Sequence, residues 1–393
     1  MPVDLGVRYV GLDLKSPVIA ASAGITGTAE RIKRAEDNGA GAVVMKTLFE
    51  EPLMAKSPTP RFKVIRRVFA GASSTTLYSY EQGFEYDPDK YFEEIAKAKS
   101  SVKIPVIASI GALNEETWVD WAKNCEQAGA DALEVNLSCP HGAIVLEKSG
   151  KLHTLLPRIA RLLSGCISIP VITKMSPQMS DPLAIARSID GTGAKACVMF
   201  SRFPGLDIDI ETGKPIMHGG SAGHGGPWAI HYALYWIATS YPHLKIQISG
   251  CGGVFHGDDV IKYIMAGATS VQVASAIIVN GYEIIDKINA QVASFMETRG
   301  YQRLDEMRGK AVPNILGLRQ IDRRKRFKAF IHVDKCSGCA LCMRICIYEA
   351  VTPDESIDGQ RIRHRIMEDK CDGCGLCAEL CPTKAIVLKD STE

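Results

Sequence analysis

Short apolar runs rich in Val, Ile and Ala recur along the first 310 residues, each followed by a longer stretch of mixed polarity. The runs are PVIAAS (17–22), AVVMKT (42–47), PVIASI (105–110), ALEVNLS (132–138), PVITKM (170–175), ACVMFS (196–201), KIQISG (245–250) and SVQVAS (270–275). Their length and β-branched content predict strands buried on both faces. Segments 28–38, 88–100, 115–128, 152–163, 181–190, 226–240, 256–266 and 281–298 read as the intervening helices. Gly39-Ala40-Gly41, Gly129-Ala130 and Gly267-Ala268 stand just before strands, where a tight helix-to-strand turn belongs. Eight strand–helix units over roughly 300 residues predict an α/β fold, a (β/α)8 TIM barrel spanning residues 1–310. A doubly wound sheet is the competing arrangement, but no GxGxxG follows the first strand.

In such a barrel the chemistry gathers at the C-terminal ends of the strands. Those ends read Ala21-Ser22, Lys46-Thr47, Ser109 to Asn114, Asn136 to Cys139, Lys174, Ser201-Arg202, Gly250 to Gly253 and Ala274-Ser275. A single strand-end lysine is most often a surface lysine. Polar groups at nearly every strand end are the informative feature.

The chain has 393 residues with ordinary apolar content, enough for one large domain and one small one. The net charge of +2 gives no sign of nucleic-acid or membrane-surface binding. No apolar run is long enough to span a bilayer, and MPVDLGVRYVG does not resemble a secretory signal, so a cytoplasmic location is expected. There, thirteen cysteines point to metal binding or catalysis rather than disulfides. Eight of them form two copies of one spacing, Cys336-x2-Cys339-x2-Cys342-x3-Cys346 and Cys371-x2-Cys374-x2-Cys377-x3-Cys381. This is the bacterial ferredoxin pattern, in which the fourth cysteine of each run serves the other cluster. Cys336, Cys339, Cys342 and Cys381 are thus expected to hold one [4Fe–4S] cluster, and Cys371, Cys374, Cys377 and Cys346 the second. A pair of zinc knuckles is the alternative, but these runs do not divide into two fours with zinc spacing. The expected unit is a small α+β ferredoxin-like domain, residues 329–393, joined through a linker at 311–328. Ile347 stands where proline usually follows the fourth cysteine, and Asp358-Gly359 reads as a hairpin turn. The basic stretch IDRRKRFKAF (321–330) reads as a solvated connection, or as a surface for an acidic electron-transfer partner.

The segment EVNLSCPHG (134–142), with PVIAASAG, VVMKT, VIASIGALNEETW, VITKM, SGCGGV and VQVASA, resembles the flavin barrel of the dihydroorotate and dihydropyrimidine dehydrogenases. The appended double cysteine run narrows the resemblance to the dihydropyrimidine dehydrogenase type, and it covers nearly the whole chain. It implies FMN in the barrel. Ala21, Ser22, Lys46, Thr47, Ser109 and Asn136 would contact the flavin, and Lys174 would stand beside its N1 and O2, where a cation stabilises the reduced ring. Gly252-Gly253 and Ala274-Ser275 would cradle the phosphate. Cys139 aligns with the proton-transferring cysteine. Redox at a C–C bond beside a carbonyl needs a hydride at one carbon and a proton at its neighbour, and a thiol can handle the proton. Asn114 and Asn136 match asparagines that hydrogen-bond a planar amide ring. Cys125, Cys166, Cys197 and Cys251 are expected in the core.

The chain departs from this pattern in two places. Ser201-Arg202 replaces an Asn-Thr pair that grips the ring in pyrimidine-reducing relatives, and arginine favours an anionic group. AIVLEKSGKLH, after Pro140-His141-Gly142, lacks their longer glycine-rich loop, which leaves lid closure open. His141 is expected to line the pocket, and HGGSAGHGGP (218–227) to be capable of moving over it. The expected activity is redox at a ring C–C bond of a dihydropyrimidine-like substrate, with electrons passing singly through the clusters. A different, possibly carboxylated, cyclic substrate is one alternative, and an electron-transfer subunit whose flavin serves a partner is another. The near-neutral charge argues against a flavin barrel acting on RNA. No second nucleotide-binding fingerprint is present, so a separate NAD(P)H/FAD subunit or a ferredoxin is the expected electron partner, in a homo- or hetero-oligomer.

Overall fold

The computed structural model describes residues 3–50, 58–69, 72–80, 84, 87–137, 152–218, 222–354 and 363–392. The chain divides into two compact units, Met1–Ile315 and Leu316–Glu393.

The first unit is a closed barrel of eight parallel strands. They are β1 (Val18–Ala20), β2 (Ala42–Val44), β3 (Val106–Gly111), β4 (Ala132–Asn136), β5 (Val171–Lys174), β6 (Ala196–Met199), β7 (Gln247–Cys251) and β8 (Ser270–Val273). Val271 pairs with Val18 to join the last strand to the first, and every other strand pairs with its successor. Each strand falls on one of the apolar runs, two of them running one residue past its end, and nearly every residue in them is buried, as a barrel covered by helices requires.

The helices are α1 (Ala29–Asp37), α2 (Pro88–Ser101), α3 (Glu115–Gln127), α4 (Leu152–Ser164), α5 (Pro182–Asp190), α6 (Ile230–Ser240), α7 (Gly257–Ala266) and α8 (Ile284–Arg299). Their starts follow local capping chemistry. Asp87 accepts from Lys90 N at 2.8 Å and Asp181 from Ala184 N at 3.0 Å, each with proline as the first helical residue. α3 shows why these segments dock: Trp118, Trp121, Ala122 and Cys125 form one buried stripe at helical spacing.

The pattern of strands and helices did not reveal the antiparallel structure at the two ends of the barrel. A hairpin of Val7–Tyr9 and Leu12–Leu14 carries the fully buried Tyr9, and Gln247 at the start of β7 accepts from Val10 N at 2.6 Å. Near the opposite end, the segments after β2 and β6 knit into a four-stranded sheet. Its order is Phe203–Gly205, Ala222–Gly225, Ala72–Ser79 and Phe62–Phe69. The 218–227 segment, expected to be free to move, thus has its residues 222–225 as an inner strand paired on both sides; residues 219–221 lie outside the described residues. Its glycines serve close approach: a Cβ on Gly223 would meet Arg202 Nε at 2.7 Å, and one on Gly225 would meet Ser275 Oγ at 2.9 Å.

The second unit repeats itself at an offset of 35 positions. Phe327–Ile331 pairs with Ile386–Asp390, and Val351–Asp354 with Arg363–Ile366. Ala340 and Gly375, both with positive φ, precede the two short helices Leu341–Ile345 and Leu376–Glu379. The first strand begins at Phe327, inside the expected linker. Among the described residues no helix is long and apolar enough to cross a membrane. Asp358-Gly359 lies outside the described residues.

Candidate active site and cluster-binding motif

At the C-terminal ends of the barrel strands lies a cavity of about 1180 Å³, its open mouth included. Its lining includes Ala21, Ser22, Lys46, Thr47, Asn136, Lys174, Ser201, Arg202, Gly252, Gly253, Ala274 and Ser275. Seven of the eight strands contribute. Cys139 and His141 lie outside the described residues.

One wall is a chain of short hydrogen bonds. Ser22 Oγ lies 2.8 Å from Thr47 Oγ1 and accepts from Thr47 N at 2.9 Å. Asn136 Nδ2 donates to Thr47 Oγ1 at 3.0 Å, and Thr47 Oγ1 lies 2.9 Å from Ser109 Oγ. Ser109 is fully buried beneath this wall and does not line the cavity; its backbone N–H donates to Tyr91 OH at 2.9 Å. It supports Thr47 from behind, one layer away from the cavity where it was expected to contact a cofactor.

The floor holds a buried polar triad from three strands. Lys174 Nζ donates to Gln272 Oε1 at 2.5 Å, and Gln272 Nε2 donates to Glu134 Oε2 at 2.7 Å. The other Glu134 oxygen lies 3.5 Å from the Lys174 ammonium. Glu134 is wholly buried and Lys174 only 5% exposed. Such a charge is tolerable only when paired, and the pairing fixes the ammonium at the cavity. Glu134 and Gln272 were not singled out in the sequence, although a carboxylate and an amide inside the buried strands ALEVN and SVQV are a visible signal.

The far wall is aromatic. Phe200 and Phe203 pack on Tyr232 with ring centroids 5.2 and 5.3 Å apart, and Phe49 also faces the space. Arg202 lies over the Gly223 backbone, with Nη1 donating to Ser79 O at 3.4 Å. It lines the cavity rather than turning away from it. His224 stands nearby with its ring 4.5 Å from Tyr78, and burial lowers its pKa. Among the described lining residues Lys46, Lys174 and Arg202 are basic and none is a carboxylate. The space therefore favours anions.

Gly252 and Gly253 both adopt positive φ, and a Cβ on Gly253 would meet Ile230 N at 2.5 Å. With Ala274-Ser275 at the start of the short helix Ser275–Asn280, they form a side-chain-poor cradle after β7 and β8, the usual phosphate position in this fold. Asn114 is placed elsewhere. It is exposed, caps α3 by accepting from Thr117 N at 2.9 Å, and donates to Glu50 at 3.1 Å. Cys125 and Cys197 are buried in the core, where burial pushes both thiols up, Cys197 to about 12. Cys166 is partly buried, packed against the same core. Cys251, expected there too, lines the cavity.

In the second unit, Cys336, Cys339, Cys342 and Cys381 converge around one pocket of about 330 Å³, so the fourth cysteine of the second run joins the first three of the first. Burial raises the Cys377 thiol, and the nearby Cys371, Cys374 and Cys346, the other expected set, raise it further; Cys377 also acts on Cys342 of the first set. Ala350 N donates to Cys346 Sγ at 3.4 Å and Ala385 N to Cys381 Sγ at 3.2 Å, at equivalent positions of the two halves. Four sulfurs around a shared space, each half supplying N–H donors to a thiolate, fit a sulfur-rich cluster.

Residues 4–296 match the dihydroorotate dehydrogenase family, and residues 329–388 match the 4Fe-4S dicluster domain. The chain belongs to the dihydroorotate dehydrogenase family. Among its relatives is the catalytic subunit of dihydroorotate dehydrogenase B (NAD(+)) of Methanosarcina acetivorans, 33% identical over 69% of this chain and 84% of that protein. The corresponding subunit of Methanocaldococcus jannaschii is 29% identical over 72% of this chain and 90% of its own length. The NAD-dependent dihydropyrimidine dehydrogenase subunit PreA of Escherichia coli K12 is 28% identical over 87% and 85%. The dihydroorotate dehydrogenase family binds FMN, and this member adds an iron–sulfur domain. It is an oxidoreductase of the iron–sulfur flavoprotein kind. The cavity suits FMN physically: a cradle for a dianion, an apolar aromatic wall and a fixed lysine.

Proposed function

We propose that the chain oxidises or reduces a ring C–C bond of a dihydropyrimidine-like cyclic amide. The observation that carries this reading is the cavity at the strand ends, with the Lys174–Gln272–Glu134 triad as its floor. Bound FMN would supply hydride exchange at the ring carbon, and two [4Fe–4S] clusters would supply electrons one at a time. Lys174 keeps a positive charge where negative charge develops on reduction. Gly252, Gly253, Ala274 and Ser275 hold the phosphate. Asn136, Ser201 and the Ser22–Thr47 pair orient planar groups. Cys139 exchanges a proton with the ring carbon next to the one that exchanges hydride. Cys336, Cys339, Cys342 and Cys381 hold one cluster, and Cys371, Cys374, Cys377 and Cys346 the other. Two relatives named as subunits, NAD(+)- or NAD-dependent, support a separate NAD(P)H/FAD subunit or ferredoxin as electron partner.

A second reading has support of its own. Arg202 brings a fixed charge to a cavity whose described lining holds no carboxylate, which favours a ring bearing an acidic group.

The test is Cys139→Ala in the flavin- and iron-loaded protein. The flavin should still bind and be reduced by dithionite, while its reoxidation by a ring substrate slows by about 10²–10⁴-fold, the usual worth of a positioned acid. Reoxidation at the unaltered rate would refute the proton role and favour an electron-transfer subunit. Arg202→Ala separates the two substrate readings, because it should raise KM for an acidic ring and leave a neutral one unaffected.

A further inference from the structure

The two halves of the second unit share their cysteine spacing, and among the positions where they differ one buried, nitrogen-bearing side chain stands beside a cluster pocket. At the 35-residue offset, Ile331 corresponds to Ile366, Cys336 to Cys371 and Val351 to Ile386. Lys328 and Arg363 correspond as well. Lys328 Nζ donates to the Glu368 carbonyl at 2.8 Å, and Arg363 donates to the Val333 carbonyl, each three positions before the first cysteine of a run. The next pair breaks the symmetry: Ala329 in the first half is His364 in the second.

His364 lines the pocket formed by Cys336, Cys339, Cys342 and Cys381. It is 2% exposed, and its Nδ1 is buried with no hydrogen-bond partner among the described residues. A buried ring nitrogen without a partner is costly, and when it carries the proton it needs an acceptor that the described protein atoms do not supply. The group that four thiolates would hold in that pocket carries sulfur acceptors. Ala329 offers no side-chain donor to the other cluster; its backbone N–H donates to Cys371 Sγ at 3.5 Å.

We propose that His364 makes the two clusters unequal by donating an N–H hydrogen bond to the cluster held by Cys336, Cys339, Cys342 and Cys381. This rests on the two-cluster reading above. A cluster bound there would become more negative on taking up an electron. A fixed N–H dipole stabilises that more negative form, so His364 raises the reduction potential of its own cluster relative to the other. Electrons then settle first on the cluster beside His364. His364 acts here as a tuning residue and not as a ligand.

The test is an EPR-monitored redox titration of the full chain with its iron loaded. The native protein should show two separate one-electron waves. His364→Leu should lower the upper wave by about tenfold in its equilibrium constant, ~59 mV for one electron, and leave the lower wave in place. His364→Gln, which keeps a donor of similar reach, should hold the upper wave close to its native position. Protein labelled with ¹⁵N-histidine adds a readout that does not depend on a stable leucine variant: a nitrogen coupling to the first-reduced cluster that His364→Gln removes. Unmoved waves in His364→Leu at full iron content, or no nitrogen coupling in the native protein, would overturn the proposal. Native protein carrying iron for only one cluster would instead overturn the two-cluster reading, and this proposal with it.

Discussion

At the residue scale, the barrel's most exacting feature is the ion pair under the cavity. Lys174 and Glu134 gain little from Coulomb attraction once the cost of leaving water is counted, yet removing one partner strands the other. Glu134→Leu should therefore cost about 3–5 kcal/mol in chemical denaturation, well above the loss expected from a surface carboxylate. A cost below about 1 kcal/mol would mean that the pair is not shielded from water as its burial indicates. Lys174 was legible in VITKM because strand ends are where chemistry belongs. Glu134 was not legible in the same way, because it lies within the buried strand, where only three-dimensional pairing explains a charge. Asn114 is the opposite case, since its place after a strand suited a substrate contact equally well. The residue also precedes Glu115-Glu116, and an asparagine there is a helix-cap signal that local chemistry favours. Asn114→Ala should cost ~0.5–2 kcal/mol of stability and leave KM unchanged; a raised KM would return Asn114 to the binding surface.

At the scale of elements, all eight strands and eight helices of the barrel were legible, because short buried strands and amphipathic helices leave opposite patterns in the chain. The four-stranded antiparallel sheet was not. Its strands come from two distant loops, and Gly223, Gly225 and Gly226 suggest mobility when read as letters. Contact with Arg202, Ser275 and Thr75 gives those glycines a packing role that sequence spacing does not encode. The cradle after β7 shows the same logic. Gly253→Ala adds a Cβ at φ +74°, against Ile230 N, with a backbone cost of ~1–2 kcal/mol before any clash. Purified Gly253→Ala protein should retain at least about tenfold less flavin at limiting FMN, measured by released fluorescence. Full flavin content would remove the cradle from the phosphate site.

At the scale of the whole molecule, the chain joins two units with separate cores and separate chemistry. The cysteine repeat made the second unit the clearest feature of the sequence: its spacing predicts crossed ligand sets, and Cys381 lines one pocket with Cys336, Cys339 and Cys342. The substrate is less legible, because Ser201-Arg202 departs from the pyrimidine-reducing pattern and the cavity's charge derives from residues on several elements. The most direct measurement is anaerobic flavin spectroscopy on the iron-loaded protein. It would be reduced with dithionite, freed of excess reductant, and mixed in turn with uracil, thymine, orotate and related cyclic amides. The account predicts that at least one ring compound reoxidises the flavin and that its saturated product forms in step. A neutral pyrimidine doing so would fix the first substrate reading, and an acidic ring alone would fix the second. A flavin that stays reduced with every ring compound, in protein with full FMN and iron, would contradict the central claim.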